Sequence, residues 1–209
     1  MIILLNCSYR GERSNSNYFL GLLEAMLEEQ CERVHLNRIK DADALGEKLQ
    51  EADALVLGMP LYVDSAPAQV VNFMEKMYEN HKGKLENLKV YVVSNLGFYE
   101  SKQIHIQLEI VKNWCAKMGI SYGGGLAIGA GEMLGGLRNV PVDKGPNAQM
   151  GEGIKKLAKT ISDRKTTEDI YVEPTGFPRG MYKMAAQMSW GKWAKKNKLT
   201  KKELYRRMI

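Results

Sequence analysis

The chain has 209 residues, enough for one sizeable domain, and its 44% hydrophobic and 26% charged residues are ordinary for a globular protein. No apolar run approaches the ~20 residues that span a bilayer, and MIILL at the start is too short for a signal peptide. Three widely spaced cysteines form neither a disulfide framework nor a metal motif. These exclusions predict a cytoplasmic protein without stable membrane insertion.

The net charge of +6 is distributed unevenly along the chain. Residues 174–209 carry ten Lys or Arg and one acidic residue, a net charge of +9, which leaves −3 for residues 1–173. The basic character therefore belongs to the C-terminal segment and says little about the partners of the main domain.

Five apolar runs alternate with helical patterns. The runs are MIILLNC, ERVHL, ADALVLG, KVYVVSN and GGLAIGA, and helical spacing occurs at 16–30, 41–52, 66–80, 103–118 and 149–163. Continuous apolarity is typical of strands covered on both faces of a parallel sheet. The alternation predicts a three-layer α/β fold with a five-stranded parallel sheet, for which the common doubly wound order is 2-1-3-4-5.

Ligands of such folds bind beyond the carboxyl ends of the strands. The loop at 8–17 leaves the first strand and ends at a helix N-terminus, where free backbone N–H groups favour an anion. Its short polar side chains can add donors, and Arg10 or Arg13 can add positive charge. This chemistry suits a phosphate, although Ser14 or Ser16 could simply cap the helix.

Two further loops, at 59–66 and 94–101, leave neighbouring strands at the same edge. The first carries Pro60 and Tyr62, and the second carries a glycine, two aromatic residues and an amide. A flat aromatic ligand with a phosphate tail would satisfy all three loops together.

The motifs in the first two loops resemble those of a known family. Cys7-Ser8-Tyr9-Arg10 and Ser14-Asn15-Ser16 are similar to a G-S-x-R segment followed by S-N-T, with Cys7 in place of the usual glycine. Residues 59–73 match the register of S-P-x-Y-x-x-x-x-P-A-x-x-K-N-F, with Val71 in place of the lysine. Over about residues 1–165, the chain resembles the flavodoxin-like NAD(P)H-dependent FMN reductases and quinone reductases.

The resemblance implies a bound FMN and NADH or NADPH as co-substrate, with a hydride passing through the flavin to a small acceptor such as a quinone or a free flavin. The implied phosphate site is Ser8, Arg10, Ser14, Asn15 and Ser16. The implied contacts of the isoalloxazine ring are Pro60, Leu61, Tyr62, Val63, Asn95, Leu96, Gly97, Phe98 and Tyr99. Because no side chain needs to act as acid or base, no catalytic residue is predicted, and the spacing of the three histidines predicts no metal site. The alternatives are a flavodoxin-like electron carrier and a non-catalytic binding module.

Residues 1–166 are predicted to form the flavodoxin-like FMN-binding domain and 167–209 a basic, helical C-terminal extension. After breaks at Pro174 and Pro178, Met and Trp residues recur at helical spacing, and Thr200 to Glu203 has the form of a capping box for a short last helix. We expect residues 174–209, called the arm below, to pack across a homodimer and shape the entrance of the flavin site. A membrane-surface helix or a nucleic-acid contact are alternatives, but we expect no nucleic-acid partner.

The glycines at 123–136 are expected to let the fifth strand and its loop approach neighbours closely.

Overall fold

The computed structural model describes residues 1–200 and 202–206 of the chain, and it contains a parallel sheet covered by helices on both faces. The strands are β1 Ile2–Asn6, β2 Cys31–His35, β3 Ala54–Pro60, β4 Lys89–Asn95, β5 Ser121–Ile128 and β6 Ile170–Val172. The helices are α1 Asn15–Glu24, α2 Ala42–Gln50, α3 Ala68–His81, α4 His105–Met118, α5 Gly131–Gly136, α6 Ala148–Ser162 and α7 Arg179–Lys196.

Alternate residues of the central strand β1 enter two separate cores. Ile3 and Leu5 pack with residues of α2, α3 and α4, whereas Ile2 and Leu4 pack with residues of α1 and α6. All five residues of β1 are buried, which explains why the sequence reads as an unbroken apolar run. The predicted three-layer α/β architecture is confirmed.

The sheet has six strands in the order β2-β1-β3-β4-β5-β6, and the prediction of five was one short. The added strand β6 pairs in parallel with β5 over three residues. Asp169, just before β6, accepts hydrogen bonds from the Tyr122 hydroxyl at 2.6 Å and the Gly125 amide at 2.8 Å, which holds this segment against β5. The predicted boundary between residues 166 and 167 stays a prediction, but three residues beyond it belong to the sheet.

The arm contains the predicted helix, α7, which begins directly after Pro178. The capping box is also present, because the amide and hydroxyl of Thr200 donate to the Glu203 carboxylate at 2.6 and 2.7 Å. It opens a short 3₁₀ turn at Glu203–Tyr205, and any continuation of the predicted last helix lies outside the described residues. Within the described part of the chain, no helix combines the length and apolarity needed to cross a bilayer.

Candidate functional site

A cavity of about 280 Å³ lies at the carboxyl edge of the sheet, where the loops after β1, β3 and β4 meet. Eleven of the fourteen predicted site residues line it: Ser8, Arg10, Ser14, Asn15, Ser16, Pro60, Leu61, Tyr62, Asn95, Leu96 and Gly97. Glu132 also lines it and was not predicted. The doubly wound topology therefore brings the three predicted loops together around one concave site.

The loop after β1 is organised by the side chain of Asn6. Its Nδ2 donates to the Gly11 carbonyl at 2.9 Å, and its Oδ1 accepts from the Ser8 amide at 3.1 Å. Ser14 caps α1, because its Oγ accepts from the Asn17 amide at 3.1 Å. Ser14 therefore caps the helix, and its predicted contact with a phosphate stays a prediction. Ser16 has a different partner, since its hydroxyl donates to Oδ1 of Asn95 at 2.8 Å and so joins the first loop to the third.

The same loop concentrates anion-binding groups at one side of the cavity. The amides of Asn15 and Ser16 lie in the first turn of α1, where a helix offers its N–H groups no internal acceptor. Three hydroxyls that line the cavity, those of Ser8, Ser14 and Ser16, belong to residues no more than 2% exposed, and Arg10 adds a cation. The Ser14 and Ser16 hydroxyls already donate, to the Gly11 carbonyl at 2.7 Å and to Asn95 Oδ1 at 2.8 Å. The amides at the start of α1, the Ser8 hydroxyl and the Arg10 guanidinium are donors that fit the phosphate of FMN.

The loop after β3 makes a tight turn beside the cavity. Tyr62 and Ser65 pair through reciprocal backbone hydrogen bonds of 3.2 and 3.1 Å, and Val63 and Asp64 between them have φ of 49° and 57°. This turn points Val63 into solvent, where it is 98% exposed, so Val63 does not line the cavity. Tyr62 does line it, and its partly exposed ring offers a surface for a flat ligand.

The loop after β4 is fixed against the end of β5. Gly131 donates its amide to the Leu96 carbonyl at 2.7 Å, and the Leu96 amide donates to Ile128 at 3.2 Å. Phe98 is 68% exposed, and Tyr99 turns towards Tyr182 of α7, with ring centroids 5.8 Å apart. The structure therefore places Phe98 and Tyr99 outside the lining of the cavity, and their contact with the flavin ring stays a prediction.

Glycines after β5 permit the close packing around this loop, as expected from the sequence. A Cβ on Gly129 would lie 2.1 Å from the Tyr99 carbonyl oxygen, and one on Gly135 would lie 2.4 Å from the side chain of Asn15. Gly136 is the exception, with nothing within 4 Å of its Cβ position. The short helix α5, which carries Glu132, and the residues before it can thus lie directly against both the first and the third loop.

The arm reaches the rim of the cavity through the first turn of α7. The Tyr182 hydroxyl donates to the carbonyl of Gly97, and Arg179 forms an ion pair with Glu100. Burial, followed by the nearby charge of Glu132, raises the pKa of Tyr182. Just before the arm, the Glu173 carboxylate accepts from the amide and hydroxyl of Ser101 at 3.0 and 2.5 Å. The arm is therefore anchored on the loop that follows β4.

The cysteine next to the first loop does not supply a reactive thiol. Cys7, next to the first loop, is fully buried in the core, and burial raises the pKa of its thiol far above the usual range. A protonated, inaccessible thiol is not a nucleophile. Within the described residues, no group of three or more His, Cys, Asp or Glu side chains is arranged to hold a metal ion.

Solved structures with low sequence identity share this fold. The azoreductase AzrA is 15% identical, with a TM-score of 0.54, and the match covers 78% of this chain and 99% of that one. An NADPH-quinone reductase from P. pentosaceus is 18% identical, with a TM-score of 0.54 and coverage of 75% and 96%. A flavodoxin from Streptococcus pneumonia TIGR4 is 14% identical, with a TM-score of 0.54 and coverage of 78% and 98%. These similarities establish a flavodoxin-like fold.

A comparison with curated proteins found no match. The model of one protein family, described as NADPH-dependent FMN reductase, matches residues 1–131, which is more than half of the chain and includes all three loops of the cavity. The match assigns FMN as cofactor and a nicotinamide nucleotide as co-substrate, so the protein is an NAD(P)H-dependent flavin oxidoreductase. By this match, the chain belongs to the NADPH-dependent FMN reductase family.

Proposed function

We propose that the cavity at the carboxyl edge of the sheet holds FMN and that the protein uses NADH or NADPH to reduce a small acceptor such as a quinone or a free flavin. The observation that carries the proposal is the meeting of three loops around one cavity, with buried hydroxyls and the N-terminus of α1 at one side. A phosphate requires such donors, whereas the part of the cavity near Tyr62 and Gly97 suits a flat ring.

In this proposal, each loop has a separate task. Ser8, Ser14, Asn15 and Ser16 bind the phosphate through hydroxyl, amide and backbone donors, and Arg10 balances its charge. The loops after β3 and β4 orient the ring, because their backbones are tied together by a 2.8 Å hydrogen bond from the Leu61 amide to the Asn95 carbonyl. Bound FMN supplies the hydride chemistry, and the protein supplies position and electrostatics.

We further propose that the arm forms part of the entrance and selects acceptors by size. The contacts of Tyr182 with Gly97 and of Arg179 with Glu100 support this, because both partners on the domain belong to the loop beside the cavity. An acceptor that approaches the ring would pass the first turn of α7. Large acceptors should therefore depend on the position of the arm more than small quinones do.

A homodimer in the cytoplasm is the assembly that we propose. Of the residues of α7, all of which the structure describes, only Ala194 is buried. Met181, Met184 and Met188 follow one face of the helix at 47–60% exposure, and helical spacing places this face away from Tyr182. Apolar side chains on two faces suit a helix that lies between two surfaces, and the second surface would be supplied by another copy.

The first experiment saturates the purified protein with FMN, removes the excess and records the visible spectrum. We expect flavin bands that bleach on anaerobic addition of NADH or NADPH and return when a small quinone or free FMN is added. A colourless protein would refute the proposed cavity, and a flavin that neither nucleotide reduces would instead favour the electron carrier.

The second experiment removes the arm after Glu173 and measures molecular mass in solution and kcat/KM for a small quinone and for a bulky azo dye. We expect loss of the dimer and a changed ratio of the two kcat/KM values. An unchanged oligomeric state together with an unchanged ratio of the two kcat/KM values would contradict both roles of the arm. Salt-sensitive binding of only the full-length chain to anionic vesicles or to nucleic acid would then support the corresponding alternative.

A further inference from the structure

We propose that Gln107 of α4 is a positioning residue, which holds the strained turn at Tyr62–Ser65 in the shape that the flavin site requires. Gln107 lies outside the cavity lining, and its side chain is completely buried. The inference rests on the proposed function, since the turn matters only if the cavity holds FMN.

The carboxamide of Gln107 joins both ends of the turn. Its Nε2 donates to the Pro60 carbonyl at 3.1 Å and to the Ser65 carbonyl at 3.2 Å, while its Oε1 accepts from the Ser94 hydroxyl. Both N–H bonds are therefore used, and each holds one end of the same short loop. Glutamate of the same shape has no donors when ionised, and methionine has none at all.

The turn itself needs an external restraint. Val63 has φ of 49°, a conformation that β-branched residues rarely adopt, and Asp64 follows with φ of 57°. Strain of this kind persists only where the surroundings hold it. Packing does not supply the restraint, because the Val63 side chain is 98% exposed. The reciprocal backbone hydrogen bonds of Tyr62 and Ser65 close the turn, and the hydrogen bonds of Gln107 hold its two ends against α4.

The same side chain couples the turn to the other two loops. Ser94, its third partner, precedes Asn95, whose Oδ1 accepts from Ser16 at 2.8 Å and whose carbonyl accepts from Leu61 at 2.8 Å. Gln107 thus lies at the junction between the loops after β1, β3 and β4. Loss of its donors should disturb the ring side of the site more than the phosphate side.

The test compares Gln107→Met with the wild type and with Gln50→Met, a matched change at an exposed position of α2. We measure FMN affinity by flavin fluorescence and check the fold by circular dichroism. We expect Gln107→Met to bind FMN at least about tenfold more weakly, because the Pro60 and Ser65 carbonyls lose the donor that ties the turn to α4. Gln107→Glu, which keeps the shape, replaces it if the methionine variant does not fold.

A second substitution, at Val63, distinguishes a positioning role of Gln107 from a general packing defect. Val63→Gly removes the strain, since glycine adopts positive φ freely. In the Val63→Gly background, Gln107→Met should therefore weaken FMN binding by no more than about threefold. Failure of this rescue, or FMN binding by Gln107→Met within twofold of the wild type, would overturn the inference. A wild-type protein that binds no FMN would instead refute the proposed function itself.

Discussion

The two adjacent glycines of α5 give a direct test of the predicted phosphate site. A Cβ on Gly135 would lie 2.4 Å from Cγ and Oδ1 of Asn15, whereas a Cβ on Gly136 would meet nothing within 4 Å. Gly135→Ala must therefore displace the side chain of Asn15, which now donates to the Gly131 carbonyl at 3.1 Å. Gly136→Ala adds the same methyl group one residue away and serves as its control.

The expected magnitudes follow from these contacts. Displacing Asn15 costs about 0.5–1.5 kcal/mol for its hydrogen bond and about 1–3 kcal/mol for overpacking, offset by up to ~1 kcal/mol of helix propensity. Gly136→Ala gains only the propensity. Because the propensity gain is common to both variants, we expect the apo-protein with Gly135→Ala to be less stable than the Gly136→Ala protein by about 1.5–4.5 kcal/mol. Losing one charge-assisted hydrogen bond to the phosphate should also weaken FMN binding roughly ten- to a hundredfold.

Urea unfolding of both apo-proteins measures the first difference, and titration of flavin fluorescence measures the second. Gly136→Ala should bind FMN as tightly as the wild type. If Gly135→Ala binds FMN as tightly as Gly136→Ala while being clearly less stable, Asn15 is displaced but does not contact the phosphate. If the two variants are equally stable, the close packing of α5 against α1 is wrong.

Three further changes have defined outcomes. Ser14→Asp combined with Ser16→Asp should weaken FMN binding on the order of a thousandfold in equilibrium dialysis, because like charges ~4 Å apart repel by about 4 kcal/mol. A loss of affinity below tenfold would show that the phosphate binds elsewhere. Burial raises the pKa of Tyr91 to about 12, so its contribution to stability is complete below pH ~10 and is lost as the pH rises towards 12. The thermal stability of Tyr91→Phe should fall less over that range, and parallel declines would contradict this. Iodoacetamide should label only the partly exposed Cys31 in the native protein, as measured by mass spectrometry. Labelling of a buried cysteine would show that the core opens.

The predicted strands and loops agree with the structure where the apolar pattern of the sequence and the topology of a parallel sheet both determine them. Buried strands of a parallel sheet must read as apolar runs, and their carboxyl ends must share one edge. The three loops at that edge could therefore be assigned to one site before any coordinates were known. The family motif added the register that places Pro60, Leu61 and Tyr62 in the lining.

The missed features depend on tertiary contacts and backbone conformations that the local sequence pattern does not indicate. Glu132 follows a glycine-rich segment without helical periodicity, and it reaches the cavity only because β5 lies beside β4. Val63 leaves the cavity because its turn needs positive φ, which asparagine or glycine would have indicated but valine does not. The strand β6 has only three residues, fewer than a reliable strand pattern.

Gln107 did leave a signal in the sequence. It lies three residues after Ile104 and four before Val111, both of which are buried, so helical spacing places it on the buried face of α4. A polar side chain on such a face needs partners, and glutamine can satisfy several at once. What the spacing does not reveal is that these partners are the two ends of a turn more than forty positions earlier.

The order of the strands also determines how the sheet can grow during synthesis. Once β1 has paired with β2, each later strand joins the same free edge, in the sequence β3, β4, β5 and β6 in which the ribosome releases them. Every newly emerged strand thus meets an edge that is already formed, and no early strand waits exposed for a distant partner. A nascent chain that has reached Glu173 carries every strand that the structure describes, so the arm can emerge onto a finished sheet.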